Sequence, residues 1–103
     1  MDKSLIGGSW MQELQAFYKR QTVRPLSCEA QALWSYLFYR ASEVEWQFPL
    51  KLSDPQLEGV LHIGPSRLQN GRKELVDSGF LLHDDLNGNK PDGYTLVFEG
   101  VSA

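Results

Sequence analysis

Apolar side chains recur along this chain at two spacings, one helical and one alternating. Ser9 and Gln12 form an S-x-x-Q capping box, and Trp10, Met11, Leu14, Phe17 and Tyr18 fall at helical spacing behind it. This predicts a first amphipathic helix of about three turns, stopped by Arg24-Pro25 because a residue before proline disfavours helical angles. Ser27 caps a second helix, in which Ala30, Leu33, Trp34, Leu37, Phe38, Ala41 and Val44 make the most regular stripe of the chain. Tyr36 and Tyr39 lie off that stripe. Trp46, Phe48, Leu50 and Leu52 then alternate with polar residues or proline, a short strand that Pro49 limits to an edge or a brief pairing.

A second S-x-x-Q box, Ser53 with Gln56, opens a short third helix carrying Leu57, Val60 and Leu61, with Pro55 tolerated in its first turn. Ile63-Gly64-Pro65 breaks it, and Pro65 suits the first position of a fourth helix running to about Ser78. Leu68, Leu75 and Val76 are expected to face inward there, with Gly71 near the same face and Gly79 as a left-handed stop. Phe80-Leu81-Leu82 begins a strand, Asn87-Gly88-Asn89 is a turn signal lengthened by Pro91-Asp92-Gly93, and Tyr94 to Phe98 reads as a second strand. The expected order is helix, helix, strand, helix, helix, strand, strand. Two helices joined by a tight glycine corner and followed by a hairpin predict a mainly α (α+β) fold, a winged helix-turn-helix over residues 9–99. Residues 1–8 and 100–103 are expected to be flexible.

Composition narrows the partners. A chain of 103 residues fits one domain, and 42% hydrophobic residues support a folded core. The formal net charge of -3 weighs against strong nucleic-acid binding, which draws on Lys and Arg at phosphates. The single cysteine, Cys28, allows no intrachain disulfide and suits a reducing compartment; it reads as a small, partly buried residue. No apolar run approaches the roughly 20 residues of a membrane span, and the N-terminus has no signal-peptide pattern, so the expected location is the cytoplasm, with no membrane partner.

Projected at about 100° per residue, the fourth helix separates a buried face centred on Leu68 and Leu75 from a polar face centred on Ser66, Asn70, Lys73 and Asp77. Arg can read guanine and Asn or Gln adenine in a major groove, so Ser66, Arg67, Gln69, Asn70 and Lys73 form the candidate DNA-facing set. The plainer alternative is a merely solvated face. Arg72 lies at the edge of the buried stripe, where a structural or phosphate-contact role fits better than base reading. In the hairpin loop, Asn89 and Lys90, with Asn87, could touch a DNA backbone, although Asp84, Asp85 and Asp92 oppose it. Between Ser66 and Lys90 four basic residues face four acids, so any affinity for duplex DNA should be weak and salt-sensitive.

Lys19, Arg20 and Arg24 cluster at the end of the first helix, where cations also complement the helix dipole. Trp10, Leu14, Phe17, Tyr18, Tyr36 and Tyr39 offer more apolar surface than a small helical core requires; core packing accounts for most of them, and the sharper alternative makes them the candidate self-association set. His62 and His83 are isolated in sequence, reading as a helix-end and a strand residue. No spacing resembles a metal site or a phosphate loop, so neither catalysis nor a cofactor is expected.

Several ordered stretches carry a family resemblance. They are Leu26-Ser27, Ala30-Gln31-Ala32-Leu33-Trp34, Tyr36-Leu37, Ala41-Ser42 and Trp46, then Leu57 to Ile63 and Leu68-Gln69-Asn70-Gly71-Arg72-Lys73-Glu74-Leu75. Ser78-Gly79-Phe80-Leu81 and Tyr94-Thr95-Leu96 complete them. Over about residues 17–98 the chain resembles the N-terminal domain of DnaD-like primosome proteins and phage replisome organisers of Gram-positive bacteria. The resemblance implies a non-enzymatic role in replication initiation upstream of helicase loading, with homo-oligomerisation and contacts to other replication-initiation proteins. In that family a separate C-terminal domain carries much of the DNA binding. Gly64-Pro65 stands where many phage relatives have a Ser-Arg or Ser-Lys pair, which removes a basic residue from the start of the fourth helix. A winged-helix transcriptional regulator or a pure oligomerisation domain fits the same residues.

Overall fold

Helix α1 spans Gly8–Val23 in the computed structural model, which describes residues 8–84 and 92–98. Its sixteen residues make about four and a half turns, longer than the sequence pattern predicts, and it already includes Gly8 and Ser9. The expected tail at 100–103 and residues 1–7 lie outside the described residues. Near its far end the Gln21 side-chain amide donates to the Phe17 carbonyl and its side-chain oxygen accepts from the Leu26 amide. That bridge carries the chain past Pro25 into α2, Cys28–Glu43. Ser27 caps α2 through the Ala30 amide as its sequence position predicts. Cys28, expected to be partly buried, is exposed, because the first residue of α2 lies before the stripe begins.

The strand expected over Trp46–Leu52 is shorter. Glu45 and Trp46 both take left-handed backbone angles, and only β1, Leu50–Leu52, pairs. Val44, placed in the stripe by spacing, is the exposed C-cap of α2. Helix α3, Asp54–Leu61, opens on the complete Ser53–Gln56 capping box and closes at His62, which is left-handed. Helix α4, Pro65–Asp77, begins with Pro65 in its first turn. It ends where the amides of Gly79 and Phe80 bond back to the carbonyls of Val76 and Leu75, with Gly79 at φ +84. This is a Schellman closure, and its left-handed residue favours glycine.

Strands β2, Leu81–Asp84, and β3, Asp92–Leu96, form a hairpin, and β1 pairs with the outer side of β3. Among the described residues the chain is an α+β fold of four helices and a three-stranded antiparallel sheet ordered β1-β3-β2. The register sets Leu50 opposite Tyr94 and Leu81 opposite Leu96, so one sheet face is apolar. That face meets Leu33, Trp34, Leu37 and Phe38 of α2, Leu57 of α3, and Leu68 and Leu75 of α4 in one core. Val76, expected inward, is instead exposed. Gly71 lies against the start of α2, where a Cβ would fall 2.9 Å from the Glu29 carbonyl carbon.

Trp34 is the centre of an aromatic pile. Its ring stacks on Phe17 of α1 at 3.8 Å between centroids and on Phe38 at 4.8 Å. Phe17, one of the expected self-association residues, is 2% exposed and belongs to this core, not to a surface.

Candidate nucleic-acid interface

The outward side of α4 starts from Pro65, which leaves the first turn without a side-chain cap on Gly64. Ser66 and Gln69 are exposed along it. The other three side chains expected to face DNA are exposed but engaged with acids. The Arg67 guanidinium lies 3.4 Å from Glu29 on α2. Asn70 donates from one side-chain nitrogen to both Glu29 and Glu74, at 3.1 and 2.9 Å. Lys73 pairs with Asp77 one turn on at 2.8 Å. Glu74 also accepts the Ser27 amide at 2.9 Å, so it fastens α4 to the entry of α2.

These contacts follow from the close approach that Gly71 permits. With no side chain at that position, the first turn of α2 comes against α4. Glu29, beside its own helix start, then reaches Arg67 and Asn70. Its carboxyl is held below the usual value by a hydrogen bond from its own backbone amide, then by Asn70 and Arg67. The Asp77 hydrogen bond and charge raise the Lys73 pKa. Sequence spacing could reveal the Lys73–Asp77 pair, four residues apart on one helix. It could not reveal Glu29, which is brought in from another helix.

Arg72, included among the possible DNA contacts, is turned away from that face. It donates to Asp54 of α3 and to the Tyr94 hydroxyl of β3, each at 2.8 Å. Burial opposes its charge, but the bond to Asp54 and the Tyr94 contact outweigh it and hold its pKa above the ordinary arginine value. Arg72 therefore ties α3, α4 and the sheet together. Of the structural and phosphate-contact roles its sequence position allows, these bonds fit the structural one. Asn89 and Lys90 lie outside the described residues.

Of the remaining self-association set, Trp10 and Leu14 are half-buried and pack on the core. Tyr18 and Tyr39 are 40% and 55% exposed, and Tyr36 is half-buried. Tyr18 shares a 2.7 Å hydrogen bond with Ser35, which joins α1 to α2. Tyr39 donates to Glu43, and Arg40 lies over Tyr36 and bonds its hydroxyl. Met11 and Val44 add exposed apolar surface on the same two helices.

His62 is the exposed end of α3, and His83 of β2 bonds Asp92 of β3 at 2.8 Å while stacking on Tyr94. Among the described residues no group of three or more His, Cys, Asp or Glu side chains is assembled to hold a metal, and no helix is long and apolar enough to cross a membrane. No protein-family model matches the chain, and neither the curated proteins nor the solved structures contain a match.

Proposed function

We propose that this chain is a winged helix-turn-helix module of the replication-initiation type, which assembles with proteins, itself included, and touches duplex DNA weakly. The α3–α4 corner followed by the β2–β3 hairpin supports the winged-helix reading, as does β1 pairing on the hairpin's outer strand. The observation that carries the functional choice is the engagement of Arg67, Asn70 and Lys73 by Glu29, Glu74 and Asp77. Side chains held by carboxylates on the helix that would enter a groove must break those bonds before they meet bases. The nearby acids also repel the phosphates, and the chain as a whole is acidic. DNA contact is then left to Ser66, Gln69 and the exposed cations, a phosphate-dominated mode with little sequence reading.

Self-association is supported by the apolar and aromatic surface of α1 and α2 around Met11, Tyr18 and Tyr39. A module of this kind works as an assembly platform in the cytoplasm, without cofactor or catalysis.

The test combines sedimentation velocity with fluorescence anisotropy on a labelled duplex. The expected result is a dimer or larger species, with duplex binding at about 50 mM salt that is lost by about 200 mM. Tyr39→Ala and Tyr18→Ala should each move the assembly toward monomer. A monomer at every concentration, together with salt-resistant and sequence-selective duplex binding, would reverse the assignment in favour of a DNA-reading regulator.

A further inference from the structure

The cations at the end of α1 line a groove that the preceding reading does not use. Lys19, Arg20 and Arg24 stand on one side of a concavity of about 570 Å³, and the last turn of α4 with Ser78 forms the other side. Its apolar lining comes from Val23, Leu26 and Phe80. Val23 is 85% exposed there. The Arg20 guanidinium lies 4.5 Å from the Phe80 ring centroid, which holds its charge over the groove.

Helix-end chemistry does not account for so much positive charge. The C-terminus of a helix carries about half of one negative charge, and Lys19 and Arg24 alone exceed it several-fold. The one acid in the lining among the described residues, Asp77, is already paired with Lys73 at 2.8 Å. A local cationic surplus therefore persists on a chain whose net charge is -3.

We infer that this groove docks an acidic peptide segment of a partner protein, one that carries an aliphatic or aromatic side chain among its carboxylates. The carboxylates meet Lys19 and Arg24, and the apolar side chain covers Val23 and Leu26 beside Phe80. The volume falls within the range of about 300–1,000 Å³ common for ligand-binding concavities. A DNA backbone matches the charge but has no apolar group to fill the floor, so the acidic peptide is the better fit. The inference is independent of how the outer face of α4 and the aromatic surface are used.

Anisotropy titrations of the whole chain test it with three fluorescein-labelled probes. One is a short Asp/Glu peptide carrying a Leu-Phe pair, one is the same peptide with Ser at both positions, and one is a DNA duplex. The Leu-Phe peptide should bind about ten-fold tighter than its Ser counterpart. Lys19→Glu and Arg24→Glu should each weaken it about three- to ten-fold. Val23→Ser should weaken the Leu-Phe peptide and leave the Ser peptide unchanged. Lys51→Glu, the same charge change on exposed β1, should leave affinity within about two-fold, since a single distant surface charge is screened. If a glutamate variant lowers the melting temperature, Lys19→Gln and Arg24→Gln take its place. Equal binding of the two peptides, equal loss in Lys51→Glu, or no peptide binding would each overturn the inference. So would groove variants that weaken the duplex alone, which would assign the groove to nucleic acid.

Discussion

At Gly71 the missing Cβ sets the separation of α2 and α4. A methyl group there would sit 2.9–3.0 Å from backbone atoms of Glu29 and Ala30, which cannot rotate away. Gly71→Ala gains about 1 kcal/mol of helix propensity but incurs an overpacking cost of about 1–3 kcal/mol. The expected outcome is a net loss of stability, read as a melting temperature lower by several degrees. Gly59 on α3 has no atom within 4 Å of its Cβ position, so Gly59→Ala should raise stability by about 0.5–1 kcal/mol. Opposite signs in the two melts test the packing account; equal signs would contradict it. Tyr94 makes a second residue-level case. Burial pushes its hydroxyl up to about 12, with Arg72 pulling the other way. A raised folded pKa means the unfolded chain ionises first, near 10, so stability present below that pH is lost as pH rises toward 12. Ultraviolet titration should show Tyr94 among the last tyrosines to ionise, and Tyr94→Phe should remove that late component and flatten the alkaline fall in stability.

Among elements, the pairing of α2 with α4 carries the most information. Glu29 holds Arg67 and Asn70, so Glu29→Gln should release part of that hold. Duplex affinity at low salt should rise about two- to five-fold and converge with the parent at higher salt. An unchanged affinity would mean that the carboxylate does not limit DNA contact. The Glu29 carboxyl lies below its ordinary value of 4.5, so its stabilising effect is present above that pH and is lost as pH falls through the lowered value. Urea melts across the acid range should show that limb in the parent and not in Glu29→Gln. Legibility in the sequence divides along the same line. Ser27, the Ser53–Gln56 box, Pro65 and Gly79 act within a few residues, and each ends or begins a helix where the pattern predicts. The α2 stripe and the hairpin were readable for the same reason. What sequence spacing missed is non-local: Glu29 on Arg67 and Asn70, Arg72 on Asp54 and Tyr94, and β1 on β3. Alternation of Trp46 with Phe48 fits a strand, yet the left-handed backbone of Trp46 turns the chain there. For Phe17 the sequence leaves core and surface both open, because a stripe position gives no count of the aromatic partners available inside.

For the whole molecule, charge and apolar exposure are distributed unequally. Acids crowd the α2–α4 seam, cations gather at the far end of α1, and exposed tyrosines lie on α1 and α2. Assemblies through the tyrosine surface should therefore be less salt-sensitive than DNA contact, because apolar burial is not screened. Sedimentation at rising salt should leave the oligomer in place after duplex binding has gone. The aromatic pile at the centre has a further use. Trp34 is sandwiched between rings from α1 and α2, and its buried indole nitrogen has no hydrogen-bond partner among the described residues. An indole in so dry a site emits at shorter wavelength than one in water, whereas Trp10 and Trp46 are only half-buried. In a chain reduced to that one tryptophan, the colour of the emitted light becomes a gauge of whether the first helix is seated. The protein thus contains its own optical probe for the detachment of α1.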